Sequence, residues 1–330
     1  MNKIFTNIKF SVIIPVYNTE KYIKETLDSL ISQSYDNWEA VCIDDASIDA
    51  SLNIRAKYST MDERIKVFSL SQNSGAIIAR EKGINIADGD FLVFLDSDDT
   101  LSRTALYEIV NCITNYPEVN CVCLDHKYEN EYSPWRGKCL YSGYKAFLEI
   151  AHFKLPRPVA FDRKLCQSIK LDDVSLDRGK GNFYDEYLWM KYILACKNVA
   201  IAKGCYYYYR KREGQATDPN NIIFYDKLER SYLVHCLMES VCDKDDLLKH
   251  RRFMVFELAW HYGIYKKNKY SKECDFYIRQ ILYLSYSKLK KKDTFYLLFS
   301  SSSVKDKLLA ILFMSNWRLF QLCSLVKMRI

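Results

Sequence analysis

Residues 91–99, Phe-Leu-Val-Phe-Leu-Asp-Ser-Asp-Asp, run five apolar residues straight into three carboxylates. Asp96, Asp98 and Asp99 crowd together and repel one another unless a cation or protons compensate them. Hard oxygen donors of this kind, with Ser97 between them, suit Mg2+ or Mn2+. A simpler reading accounts for the same residues equally well. Asp and Thr are good helix caps, and Ser102 opens an amphipathic stretch, so the acidic group can also be a helix N-terminus.

The apolar run before the cluster, bounded by Gly89 and Asp90, has the length of a strand buried on both faces, which puts the carboxylates at its carboxyl end. Similar pairs of element and polar tip precede it. Residues 10–16 form a buried strand ending at Pro15 and Val16, followed by Tyr17 and Asn18. Apolar positions from Glu20 to Ser34 recur at helical spacing, with Asn18 or Thr19 as the cap. Strand 39–43 leads into Asp44 and Asp45, and a helix continues to about Tyr58. Strand 65–70 leads into Asn73, Ser74 and Gly75, and the helix after it carries Arg80. Four alternations with short connections predict βαβ units and a mostly parallel, Rossmann-like α/β sheet flanked by helices. Ligands bind outside the carboxyl ends of such strands, where all these tips gather.

Farther on, a helix over 102–115 and a strand over 119–124 are expected. Residues 125–180 have no clear period, a helical pattern returns over 185–196, and Cys205 to Tyr209 reads as an aromatic strand. Helical patterns then alternate with basic runs, His250 to Arg252, Lys266 to Lys269 and Lys288 to Lys292, up to an apolar tail over 305–330.

With 330 residues and 49% hydrophobic composition, the chain can bury a full core and an appendage. A net charge of +7 suits anionic ligands or an anionic membrane surface, and no nucleic-acid-reading motif accompanies it. The 12 cysteines lack CxxC spacing and read as reduced core residues, and the five histidines have no metal-ligand spacing. No signal peptide and no spanning segment is expected, which places the protein in the cytoplasm.

Four motifs, Ser11 to Asn18 (SVIIPVYN), Asp44 to Asp49 (DDASID), Gln72 to Gly83 (QNSGAIIAREKG) and Phe94 to Asp99 (FLDSDD), resemble in order and spacing those of the family 2 glycosyltransferases. The resemblance covers about residues 10–213. It implies a GT-A fold and inverting transfer of a sugar from a nucleotide diphosphate, with UDP as the expected nucleotide, in bacterial capsule or lipopolysaccharide synthesis. Tyr17, after Pro15 and before Asn18, matches the aromatic that lies against the base. Asp45, with Asp44 beside it, matches the acceptor of the uracil imide hydrogen. Asn73 and Gly75 lie on the turn before Arg80, which matches a basic residue near the nucleotide. Asp96, Ser97 and Asp98 match the DxD element, with Asp98 as direct metal ligand and Asp99 close by. Asp185 matches the catalytic base, with Glu186 as the alternative, although Tyr184 stands where a Glu is commoner. Arg210 or Arg212 would reach the diphosphate.

The domain reading is a GT-A domain over 1–220, with a donor half to about 124 and an acceptor half from 125, followed by a helical extension over 221–330. The implied partners are a nucleotide sugar and a glycan or lipid-linked acceptor. Covering the core, forming a homodimer and lying on the inner membrane face are the roles open to the tail. A nucleotidyltransferase would need a Gly-rich basic loop where Pro15 to Asn18 stand, and a catalytically silent nucleotide-sugar-binding or scaffold module is the other alternative.

Overall fold

The computed structural model describes residues 7–116, 118–128, 131–132, 134–169, 184–212, 215, 218 and 221–289. The expected tail at 305–330, the basic residues 290–292 and the stretch 170–183 lie outside them. The described residues divide into two compact units, the first within 1–180 and 188–211, the second within 181–187 and 212–330.

Up to residue 209 the elements follow as β1 (Phe10–Val16), α1 (Ile23–Ile31), β2 (Trp38–Asp44), α2 (Ser51–Met61), β3 (Ile65–Ser69), α3 (Ala76–Ile86), β4 (Phe91–Phe94), β5 (Thr100–Leu101), α4 (Ala105–Asn115), β6 (Val119–Tyr128), β7 (Glu131–Tyr132), β8 (Leu140–Ser142), α5 (Gly143–Ala151), β9 (Arg157–Asp162), α6 (Arg163–Ser168), α7 (Tyr184–Ala195) and β10 (Asn198–Tyr209), all in the first unit except the first turn of α7. The sheet order is β3-β2-β1-β4-β9-β6-β10-β5, with β7 on β6 and β8 on β10. Strands β3, β2, β1 and β4 are mutually parallel, as the alternation of strand and helix predicts, and β6 runs parallel to β10. Between these halves lies β9, antiparallel to both β4 and β6. Every residue of β1, β2 and β4 is buried, which is why these strands read as continuous apolar runs.

Helix α1 covers the sheet with Ile23, Thr26, Leu27 and Leu30, the i, i+3, i+4, i+7 stripe of an amphipathic helix. Its start differs from the expected one. Tyr22 is the N-cap and no side chain caps it, because Asn18 is used elsewhere and only the Thr19 carbonyl meets the Tyr22 and Ile23 amides. The acidic cluster is likewise not a helix cap. After Asp99 the chain enters β5, which pairs with β10, and α4 begins only at Ala105.

The second unit contains the first turn of α7, a 3-10 turn at Ile222–Asp226, and helices α8 (Lys227–Glu239), α9 (Lys244–Lys267) and α10 (Lys272–Leu289). They close over a separate core that includes Phe224, Tyr225, Leu228, Leu258, Ile278 and Leu282. No described helix is long and apolar enough to cross a membrane.

Candidate nucleotide-sugar site

At the tip of β1, Pro15 is the last residue but one of the strand and Tyr17 leaves it with 46% of its surface exposed. Asn18 adopts φ 51°, a left-handed conformation that Asn tolerates better than most residues. Its side-chain oxygen accepts from the Ile48 amide at 2.9 Å, and its own amide donates to Ser47 Oγ at 3.1 Å. These bonds fasten the first tip to the second. Asp49 accepts from the amides of Ser51 and Glu20.

Asp44 and Asp45 have separate tasks. Asp44 turns inward to form a 3.0 Å ion pair with Arg55, a residue of α2 with no exposed surface. Asp45, 2% exposed, brackets the turn before α3: one carboxylate oxygen accepts from Ser74 N at 2.6 Å, the other from Gly75 N at 2.7 Å. A carboxylate offers about four lone-pair sites, so the bracket leaves acceptor capacity. Gly75 has φ 89° and ψ 156°, a conformation open essentially to glycine alone, which explains its place at this turn. Asn73 is exposed beside it.

The third tip is the most heavily charged. Asp96 accepts from Arg80 Nη2 at 2.6 Å and from Arg157 Nη2 at 3.2 Å. The Arg157 guanidinium lies 4.6 Å from the Trp189 ring centroid and 4.7 Å from that of Tyr207, within cation–π range. Burial works to raise the Asp96 pKa, but the Arg157 and Arg80 charges outweigh it and hold the carboxyl at about 2. Asp99 has the opposite fate. Burial, reinforced by the charges of Asp96 and Asp98, pushes it up to about 8, against the opposing hydrogen bonds from Arg210 N and Tyr207. Those bonds measure 2.8 Å from Arg210 N and 2.7 Å from Tyr207 Oη. Tyr207 Oη also accepts from Asp96 N at 3.1 Å, so one hydroxyl ties both ends of the acidic turn. Ser97 is held through its carbonyl by Thr26 Oγ1 at 3.0 Å. Partly exposed Asp98 receives Arg210 Nε on its carbonyl at 2.9 Å, and Arg210 also pairs with Glu25.

The first unit therefore brings together Pro15, Tyr17, Asn18, Asp44, Asp45, Gly75, Arg80, the Asp96 to Asp99 turn and Arg210 along one sheet edge. Arg212 belongs to the second unit, where its amide donates to Gln215. The side chain of Asp185 lies outside the described residues; its backbone occupies the first turn of α7. In the second unit Glu186, the alternative base, pairs with Arg230 at 2.8 Å. Arg157 and Tyr207 were missed by motif reading. Tyr207 had a signal in the aromatic strand, whereas Arg157 had none.

This ordering of strands and polar tips defines a GT-A fold. The solved structure of S. aureus TarS 1-349 in complex with UDP-GlcNAc shares it, with TM-score 0.69 and 21% identity over 98% of this chain and 92% of that one. Residues 11–169 match the Glycosyl transferase family 2 model and carry a domain of that family. Glycosyltransferase GlyA of Streptococcus pneumoniae is 28% identical over 276 residues, 78% of this chain and 37% of the relative. The minor teichoic acid biosynthesis protein GgaA of Bacillus subtilis is 27% identical over 270 residues, 74% of this chain and 58% of the relative. The chain thus spans 37% and 58% of the lengths of these two curated relatives.

Proposed function

We propose that the protein transfers a sugar, with inversion, from a UDP-sugar to a hydroxyl of a glycan or lipid-linked acceptor in bacterial surface polysaccharide synthesis. The observation that carries the reading is the sheet edge on which the Asp45 bracket and the doubly paired Asp96 occur in the domain matched by the family. The UDP-GlcNAc bound to TarS and the teichoic acid role in the name of GgaA support the donor and the polymer class.

Tyr17 offers an exposed ring to the base, and Asp45 the remaining acceptor capacity for the imide hydrogen. Arg80, Arg157 and Arg210 supply guanidiniums on the side of the diphosphate. Asp98, partly exposed and matching the DxD element, is the residue that would hold Mg2+ or Mn2+. No group of three or more His, Cys, Asp or Glu among the described residues could hold a metal by itself. The donor set therefore fits an ion that completes its shell with phosphate oxygens, as Mg2+ commonly does. Once bound there, the ion would neutralise charge on the leaving diphosphate. Asp185 takes the proton from the acceptor hydroxyl as that oxygen attacks the anomeric carbon opposite the diphosphate.

A thermal-shift screen of sugar nucleotides, with and without Mn2+, tests the reading, because a ligand that binds the folded state alone raises the melting temperature. We expect a shift with a UDP-sugar that Mn2+ enlarges, and little shift with Mn2+ alone. The Asp185→Asn variant should keep that shift and lose transfer by about 10²- to 10⁴-fold. Full transfer by the folded variant would remove Asp185 as base. A shift without release of nucleoside diphosphate from any donor would favour the silent binding module.

A further inference from the structure

We infer that two buried hydroxyls, those of Thr26 and Tyr207, are positioning groups for the Asp96 to Asp99 turn, so that Asp98 is presented to a metal-bound diphosphate from a backbone already fixed. The inference deepens the proposed function and rests on Asp98 holding the ion.

Packing alone would put a polar group at neither position. Thr26 and Tyr207 have no exposed surface; Thr26 lies in the buried stripe of α1 with Ile23, Leu27 and Leu30, and Tyr207 belongs to the main apolar core of the first unit. Val and Phe have nearly the same shapes and no hydroxyl to satisfy, whereas a buried hydroxyl is costly unless it is hydrogen-bonded. Both hydroxyls are directed at one turn. Thr26 Oγ1 donates to Ser97 O at 3.0 Å. Tyr207 Oη donates to Asp99 Oδ2 at 2.7 Å and accepts from Asp96 N at 3.1 Å. The turn is thus held from α1 by one hydroxyl and from β10 by the other.

These ties belong to a longer seam. On α1, Ser29 Oγ accepts from Leu101 N at 3.4 Å, Gln33 Nε2 donates to Ser102 O at 2.9 Å, and Gln33 Oε1 accepts from Leu106 N at 3.1 Å. Thr26, Ser29 and Gln33 stand at i, i+3 and i+7, which is one face of the helix. On the β10 side, Tyr206 N donates to Ser102 Oγ and Tyr206 O accepts from Ser102 N, both at 3.0 Å. Arg210 adds its amide to Asp99 Oδ1 and its Nε to Asp98 O. Apart from the Asp99 carboxylate and the Ser102 hydroxyl, the atoms gripped between 96 and 106 are backbone atoms. A grip of that kind fixes where the acidic side chains start without neutralising them, as a positioning device should. A loose turn would have to be ordered when the ligand binds, and ties made beforehand remove that cost.

The test removes each hydroxyl and keeps the shape, in Tyr207→Phe and Thr26→Val. Isothermal titration with UDP, with and without Mn2+, gives the gain in affinity due to the metal, and that gain is the readout. In Tyr207→Phe it should fall about tenfold, while metal-free UDP affinity stays within about twofold of the parent. Thr26→Val, which loses a single bond, should lower the gain about threefold. A merely structural role would lower the melting temperature and leave the gain intact. A parental gain in folded Tyr207→Phe therefore overturns the inference, as does an equal loss of affinity with and without Mn2+. Should Tyr207→Phe not fold, Thr26→Val decides on the same terms. No gain in the parental protein, or a parental gain in Asp98→Asn, overturns the Asp98 reading and this inference together. Loss of the gain in Asp98→Asn, with a parental gain in Tyr207→Phe, overturns this inference alone.

Discussion

Two groups of buried charge differ in a way that separates binding from architecture. At the end of β4, the one carboxylate of Asp96 is shared by two guanidiniums, those of Arg80 and Arg157. In the second unit, Glu186 pairs with Arg230, one carboxylate to one guanidinium. The Asp44–Arg55 pair beneath the β2 tip is of the balanced kind too. Surplus charge in a polar cleft attracts an oppositely charged ligand and is costly until one arrives. Balanced charge has nothing left to offer a ligand, and its demand for one geometry makes it a fixture of the scaffold.

The comparison breaks first at its balanced end. Arg55→Met leaves Asp44 buried without its cation, and losing one partner of a buried pair costs about 3–5 kcal/mol. Chemical denaturation of the variant checks this, and a loss below about 1 kcal/mol would show that the pair contributes no more than a surface contact. The next effect is a pH dependence. Asp96 is held at about 2, below the ordinary carboxylate value of 3.8. A carboxyl lowered by folding binds fewer protons in the native state, so its contribution is complete above the unfolded value and fades as pH falls from about 4 to about 2. The shift corresponds to roughly 2 kcal/mol. In acid denaturation Asp96→Asn should lack that limb, whereas a parental acid profile would contradict the pairing.

Much of the surplus-charge region was legible in sequence, because its parts are local. An apolar run of strand length ends in a polar tip four times over between Phe10 and Asp99, and Gly75 marks the turn where only glycine fits. What joins the tips is not local. Arg157 stands between Pro156 and Pro158, and two prolines argue against a strand. Yet β9 pairs on both sides: its pairing with β4 involves residues 160–162 only, and a register shift against β6 accommodates Pro158. Half of β10 was hidden for a related reason. Gly204, at φ 78°, lies in a register shift between Ala202 and Tyr206, so the alternation visible after Cys205 does not continue back to Asn198. The choice between cap and binding turn for Asp96 to Asp99 depended on β10, which supplies Tyr207 from 108 residues beyond Asp99 in sequence.

Arg157 gives the smallest and most discriminating test of the comparison. Arg157→Met removes one positive charge but keeps the bulk between Trp189 and Tyr207, and Asp96 retains the shorter bond, from Arg80 at 2.6 Å. The surplus disappears while the carboxylate remains paired. Stability should therefore fall by less than in Arg55→Met, whereas affinity for UDP with Mn2+ should fall about tenfold, the worth of one charge-assisted contact. Isothermal titration at two salt concentrations measures the loss, and the parental protein should show the steeper salt dependence because it holds the extra charge. If UDP affinity is unchanged while stability falls as far as in Arg55→Met, Arg157 is a scaffold cation, and surplus charge does not distinguish binding from architecture in this fold.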